Sequence, residues 1–515
     1  METSYKPVRD ERARSTCQSA ALAAVAVAWL FLMTYDLGGR SLHVDEVITA
    51  CRSQAPASPP DPMHPATYYA YVRFWTNAVG TSDAALRSSS LVPAVVALVF
   101  FCGLALWLLP WPAWFVAVLL ACFSTELLLY WRMARYFSAS AAAFSIVMIG
   151  AVGYLMERRT SWLIALVIGT VGAALVDYIA AAGTATVWAW LIVTELRAKA
   201  YGRAAAVFGS AIVAAALSAP VLRPAWAGAQ AVMDIRALRH EPRSFALAAA
   251  VSGWGLLASE CLPPWQPAIA FPTVAASGLL LAIGAGAAWK QGGPWKLIVC
   301  VWPIAVAIAL LLVFLTPGEP PVRAGSRALY AMPCMFLVMG LGWSASWRRW
   351  WGKGATIVIA VGWSAALLNY FSLRGYLNPQ YALRWQPVAE FIAQHARPGD
   401  AVVTAFDSGF HRYYHGPGLQ LDVSGRGTEF AAAVETVRNG GTVWLIARDR
   451  GSRHAVETME ALRQRLRAQG ASEVRHEFFH YGPAELAWRR LTDRQPAPAY
   501  VTVFELWKRS QGTGN

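Results

Sequence analysis

Apolar residues in this chain come in long unbroken runs, without the alternation of a strand or the one-sided stripe of a soluble helix. The runs fall at 17–36, 89–109, 112–131, 138–156, 161–176, 178–196, 204–222, 268–289, 297–315, 327–346 and 354–373. Each is close to the roughly 20 residues that a hydrocarbon core demands, and only a helix satisfies its own backbone there. The pattern predicts about eleven transmembrane helices. A further run, "SFALAAAVSGWGLLASECL" at 244–262, is interrupted by Gly and Ser and leads into "PPWQP". It reads as re-entrant or interfacial, because a crossing there would invert every later segment.

Basic residues set the orientation. The head with Lys6, Arg9, Arg12 and Arg14, "ERR" at 157–159, "RAKAYGR" at 197–203, "KQGGPWK" at 290–296 and "WRRWWGK" at 347–353 all fall on one side, which the positive-inside rule assigns to the cytoplasm. The loop 37–88, the turn 132–137, the 223–267 region and the tail after 374 then share the outer side. The head and first run resemble a secretory signal, but the recurrence of similar runs makes the first an uncleaved span.

From about residue 380 the pattern changes. "QPVAEFIAQHARPGD", "TEFAAAVETVRNG" and "HAVETMEALRQRLRAQG" have helical periodicity, while "AVVTAF", "GTVWLIAR" and "YVTVFELW" read as strands. The expected architecture is a polytopic α-helical membrane domain over 17–373, with a loop at 37–88, after a cytoplasmic tail of residues 1–16. A small extracytoplasmic α/β domain over 374–515 completes it. That domain holds no phosphate-binding Gly motif and no nucleophile elbow.

Composition strengthens this picture. The 515 residues are 56% hydrophobic and 14% charged, with 24 Trp, far outside soluble averages. The net charge of +14 sits largely in short loops and reports topology, so nucleic-acid binding is not implied. The seven cysteines show no metal spacing; only Cys51 and Cys261 are placed to meet outside the membrane.

The candidate chemistry follows the first span, in "GGRSLHVDEVITACRSQAPASPPDPMHPATYY" at 38–69. Val44, Val47, Ile48 and Cys51 recur at helical spacing and predict a surface helix buried on that face, with Asp45, Thr49 and Arg52 on another. Adjacent acids on a helix point about 100° apart, so Asp45 and Glu46 cannot serve one reacting atom alike. Either they solvate a helix start, where acids favour the dipole, or one is a base and the other a support. "HPATYYAYVRFW" begins a helix with Tyr68, Tyr71 and Trp75 in register, which by composition alone reads as an interfacial aromatic belt. "YWRMARYF" sets Arg132, Arg135 and Tyr136 at an outer membrane edge; Asp177, Arg323 and Arg327 also lie at outer span ends. Guanidinium groups there either snorkel or grip a phosphate.

Taken in order, "DE" at 45–46, "HPATYY" at 64–69, "LRSSSLVPAV" at 86–95, "RMARYF" at 132–137 and "SRALYAMP" at 326–333 resemble the C-type (GT-C) glycosyltransferases. The nearest likeness is to bacterial relatives of dolichyl-phosphate-mannose protein mannosyltransferases, the family 39-like enzymes, and to the lipid A aminoarabinose transferase. The resemblance spans residues 17 to about 373, and the terminal α/β domain suits the periplasmic domains of many members. It implies a GT-C fold in a bacterial inner membrane and a polyprenyl-phosphate sugar as donor. The acceptor would be a glycan, lipid or protein hydroxyl on the periplasmic side.

The same resemblance implies residue roles. Asp45 would be the catalytic base with Glu46 in support, and transfer would invert the anomeric carbon. Arg135 and Arg327, then Arg87, Arg132 and Arg323, would hold the donor phosphate. His64, Tyr68, Tyr69, Tyr136 and Asp177 would line the acceptor or sugar pocket. No cofactor is required, although His43, Asp45, Glu46 and His64 include hard-oxygen and imidazole ligands and leave a divalent metal as an option. Two departures stand out: the second proline that usually follows His-Pro is Ala66, and no histidine accompanies Asp177. A transporter, which should show broken midplane helices and repeat symmetry, and a non-catalytic scaffold of envelope polysaccharide assembly are the competing readings.

Overall fold

The computed structural model describes residues 8–54, 65–237, 245–315, 323–372, 376–377, 385–404, 408–422, 428–447, 453–477 and 500–506. These divide into two compact units, one of Met1–Gly39 and Thr49–Asn378 and one of Arg40–Ile48 and Pro379–Asn515.

The first unit is helical: α1 Val8–Thr34, α2 Val44–Gln54, α3 Ala66–Val79, α4 Asp83–Ser88, α5 Leu91–Leu108, α6 Ala113–Phe123, α7 Thr125–Trp131, α8 Phe137–Glu157, α9 Trp162–Val176, α10 Tyr178–Arg197, α11 Tyr201–Ala237, α12 Phe245–Leu257, α13 Pro267–Gln291, α14 Pro294–Leu315, α15 Arg323–Arg327, α16 Met332–Ser346 and α17 Trp350–Ser372. Helix α2 begins within the segment that groups with the second unit. Among the described residues eight helices are long and apolar enough to cross a bilayer, nine if a bent pair counts as one span. With Val27, Ile168 and Leu368 exposed, the protein is a multi-pass membrane protein of the expected fold class.

Every predicted run is helical, but three of the eleven depart from a simple crossing. The apolar part of run 17–36 is the shorter helix Gln18–Thr34. Run 112–131 bends by 50° between α6 and α7, because Ser124 is extended and its hydroxyl caps α7 by accepting from the Leu127 amide at 3.3 Å. Run 161–176 gives only the 15 residues of α9. Run 244–262, expected to be re-entrant or interfacial, gives the 13 residues of α12, about 20 Å of helix and too short for a core of about 30 Å.

Lipid tails offer helices no hydrophobic reward for associating, so close backbone approach must hold the bundle. The chain from Ala328 to Trp343 is buried without a break and forms the centre. Gly284 of α13 and Gly342 of α16 make the tightest crossing: a Cβ on either would lie 1.9 Å from a carbonyl oxygen of the other helix, Val338 or Leu280.

Two expectations about the segment after the first span fail, the first in part. Helix α2 buries Glu46, Val47, Thr49, Ala50 and Ser53, while Cys51 is exposed; of the expected apolar face Val47 is enclosed, but it shares the buried side with Glu46, Thr49 and Ser53. Cys51 and Cys261 are both free thiols, Cys261 being buried.

In the second unit, α18 Trp385–His395, α19 Ser408–Tyr413, α20 Thr428–Arg438 and α21 Arg453–Ala468 accompany five strands: β1 Ala401–Thr404, β2 Leu419–Asp422, β3 Val443–Ala447, β4 Ala471–Glu477 and β5 Tyr500–Leu506. The sheet order is β2-β1-β3-β5-β4, with β1 parallel to β2 and β3 and the β3–β5 and β5–β4 pairs antiparallel. Strand β1 is buried on both faces. Val403 packs towards Ala433, Val437 and Leu462, and Val402 towards Trp385, Val388 and Ile392, as a central parallel strand requires. Ser41 accepts the Trp385 amide at 2.7 Å, and the Tyr413 phenol accepts the Leu42 amide at 2.6 Å, so Arg40–Ile48 is tied into this unit.

The glycine crossing is testable. Gly284→Ala should destabilise the protein by about 1–3 kcal/mol through overpacking. Gly286→Ala, on the same helix with open space around it, should be neutral or slightly stabilising; thermal unfolding midpoints in detergent separate the two.

Candidate functional site

The site in the first unit is built around the turn between α7 and α8, Arg132 to Tyr136. Its residues are buried, Arg132 to 3% exposure and Arg135 to 4%, so its backbone and guanidinium groups need partners inside the protein. The triple serine of "LRSSSLVPAV" supplies several. Ser90 donates to the Met133 carbonyl at 2.6 Å, Ser138 donates back to the Ser90 carbonyl at 3.0 Å, and Ser89 satisfies Leu86 at 2.7 Å.

Around this turn lies a belt of tyrosines. Tyr68 of α3 is buried and meets Tyr136 edge to face at 6.2 Å, while Arg135 lies over the Tyr136 ring at 5.1 Å. Burial pushes the Tyr68 phenol up, with the nearby Arg135 charge opposing it. Tyr69 is buried beside Tyr68, with Arg52 over its ring at 5.9 Å. The expected aromatic belt is therefore turned inward: Tyr71 donates to the Ser89 carbonyl at 2.6 Å and Trp75 to Ser88 at 2.9 Å.

Arg327, at the end of α15, donates to the Tyr136 phenol. Asp177, between α9 and α10, is buried, caps α10 through the Ile179 amide at 3.0 Å, and accepts from Ser140 at 3.1 Å. Burial raises its carboxyl above the usual range, with the Ile179 amide and then Arg327 among the influences pulling it down. Arg135, Tyr136, Arg327 and Asp177 thus form one connected polar cluster with Tyr68 against it. Arg132 is turned elsewhere: it donates to the Tyr370 phenol at 3.0 Å and to the Tyr35 carbonyl, joining the ends of α1, α7 and α17. Arg87 is buried and donates to the Leu37 carbonyl at 3.0 Å. The side chain of Arg323 and the whole of His64 lie outside the described residues.

The acidic pair lies in the second unit, at the start of α2. The His43 imidazole Nδ1 accepts the Asp45 amide at 3.3 Å, and the Glu46 carboxylate reaches back to the His43 amide at 2.8 Å. This is a capping box with histidine in the place of serine. It gives the two acids different environments: Glu46 is 1% exposed and committed to the helix start, whereas the Asp45 side chain keeps 23% exposure. Among the described residues no group of three or more His, Cys, Asp or Glu side chains is arranged to hold a metal.

Several site features escape a reading of the sequence. Glu126 and Glu260 are buried together; Glu126 accepts the Glu260 amide at 2.8 Å, and Tyr130 donates to Glu260 at 2.5 Å. Glu126 follows the capping Ser124 by two residues, a faint helix-start signal, but nothing in "ASECLPPW" reveals its partner. The link from Arg132 to Tyr370 is equally invisible across 238 positions.

Two solved structures share this architecture. ArnT from Cupriavidus metallidurans in the apo state superposes with a TM-score of 0.53 at 11% identity, covering 95% of this chain and 98% of that one. The same protein bound to undecaprenyl phosphate gives 0.53 at 12% identity, with the same coverage. ArnT is the lipid A aminoarabinose transferase, a GT-C glycosyltransferase, so the fold implied by the sequence resemblance is the fold observed. No family profile matches the sequence. No curated protein matches it either.

The capping box predicts a separation of roles. Glu46→Ala should lower stability by about 1 kcal/mol, as loss of a helix cap does. Glu46→Gln, whose amide oxygen can still accept from His43, should keep the wild-type melting midpoint.

Proposed function

We propose that this protein is a membrane glycosyltransferase that moves a sugar from a polyprenyl-phosphate-linked donor to an acceptor hydroxyl. The observation that carries this reading is a fold shared over 95% of the chain with a structure bound to undecaprenyl phosphate. The buried arginine turn at a span end supports it, because such a donor presents its phosphate at the membrane edge.

In the proposed reaction the acceptor oxygen attacks the anomeric carbon, the bond from that carbon to the phosphate oxygen breaks, and the acceptor proton passes to Asp45. The polyprenyl phosphate leaves carrying negative charge and needs no proton from a second acid. Arg135 and Arg327 are assigned to that charge, as preorganised guanidinium groups with charge-assisted hydrogen bonds. Tyr136 buttresses both, and Arg132 and Arg87 hold the surrounding helix ends. Tyr68, Tyr69 and Asp177, together with His64, are assigned to the sugar or acceptor. A single displacement inverts the anomeric centre. The site and the α/β unit are assigned to the periplasmic face of a bacterial inner membrane, following the basic loops.

The difference in exposure between the two acids favours Asp45 as the base. Glu46 is spent on its own helix start, whereas Asp45 retains access to solvent.

The test is transfer of label from a polyprenyl-phosphate sugar to envelope extract by the purified protein in lipid. Asp45→Asn should fold normally and lose transfer by about 10²-fold or more, the scale of a general base. Arg135→Ala should lose about 10²–10³-fold, the scale of a lost charge-stabilising donor. No donor consumption by the wild type across a panel of sugars would sink the transferase reading, and full activity of Asp45→Asn would remove the assigned base.

A further inference from the structure

A second feature lies far from this site. Tyr370 of α17 touches Arg132, and the opposite end of that helix, Trp350, is about 30 Å away by helix rise. There the turns joining α13 to α14 and α16 to α17 carry Lys290, Lys296, Arg348, Arg349 and Lys353, with no acidic residue in either stretch. Among the described residues none of the five has an ion-pair partner. Three basic residues of the loops around α8 and α11 behave differently: Arg158 and Arg203 pair with the buried Glu195, and Arg159 with Glu157 at 3.5 Å.

Tryptophans hold these uncompensated cations in place. Lys353 lies over Trp347 at 5.8 Å, Arg349 over Trp351 at 5.6 Å and Lys296 over Trp289 at 5.3 Å, while Trp350 projects outward at 84% exposure. Indole rings at this depth mark the headgroup level of a bilayer. Beside them a cleft of about 480 Å³ opens between α13 and the α16–α17 turn, lined by Leu279, Ile283, Ala345, Arg349 and Trp351. Topology alone accounts for basic loops, but not for an apolar cleft that opens onto aromatic-braced, unpaired cations.

We propose that this cleft is a binding site for an anionic phospholipid. Its phosphate would sit on Arg349 and Lys353, and its acyl chain would lie along Leu279 and Ile283. Charge complementarity selects the occupant: a basic pocket between transmembrane helices on the cytoplasmic side suits an anionic headgroup, and a zwitterionic lipid gains little there. The proposal does not depend on the transferase reading.

The test is native mass spectrometry of the full-length protein with cardiolipin or phosphatidylcholine added at equal concentration. Cardiolipin should be retained under activation that strips phosphatidylcholine. The double variant Arg349→Ala/Lys353→Ala should weaken cardiolipin binding at least about tenfold. Ile283→Trp, which fills the cleft without changing charge, should weaken it as well, and serves alone if the double variant unfolds in lipid-free detergent. Arg197→Ala/Lys199→Ala, a charge-matched change at exposed residues elsewhere in the basic loops, should leave binding within about twofold. Equal retention of both lipids, equal loss in the two double variants, or undecaprenyl phosphate displacing cardiolipin from the cleft would overturn the proposal.

Discussion

Two guanidinium groups and the carbonyls of a non-helical turn, kept out of water at the end of a transmembrane helix, set the terms for the rest of the membrane unit. Such groups survive only with partners inside the protein, and the partners come from distant elements: Ser90 before α5, Tyr35 after α1, Tyr370 near the end of α17 and Tyr136 bridging to Arg327. The helix ends are therefore gathered around this turn by hydrogen bonding. The helix middles are gathered by the glycine contact of α13 and α16. One end of the bundle is specified by polar satisfaction, and the core by close backbone approach.

Much of the fold was legible because bilayer thickness is a strict ruler. A run of apolar residues long enough to cross leaves few alternatives, and each of the eleven runs became helical. What escaped was local. A single serine capping a new helix broke run 112–131, and β2 and β4 went unnoticed because they are edge strands whose polar residues, as in "ASEVRHE", hide the alternation. In α2 the hydrophobic pattern found Val47 but missed the polar residues buried beside it. Glu46, Thr49 and Ser53 are enclosed, and a polar residue with a hydrogen-bond partner is buried as readily as an apolar one.

The candidate site was legible as a set of residues and not as an arrangement. Arg135, Arg327, Tyr136, Tyr68 and Asp177 do assemble, although they come from positions 68 to 327. Arg132 and Arg87 look identical to Arg135 in sequence, yet the structure gives them carbonyl and phenol partners that tie helix ends together. Which partners each arginine meets depends on residues tens to hundreds of positions away, and no local spacing encodes that choice. The distinction between Asp45 and Glu46 was only half visible: their divergence on a helix could be foreseen, but not that a histidine cap would claim the glutamate.

The hydrogen bonds from Ser41 to the Trp385 amide and from the Leu42 amide to Tyr413 carry an evolutionary consequence. Residues 40–48 belong by contact to a unit that begins, in sequence, more than three hundred positions later. The α/β unit is thus not a detachable appendage with a single boundary near 379: recombination there would separate a nine-residue strap from the surface that shapes it. Exchange of this unit between related chains has to carry both pieces, so the segment bearing the acidic pair and the α/β unit are constrained to diverge together.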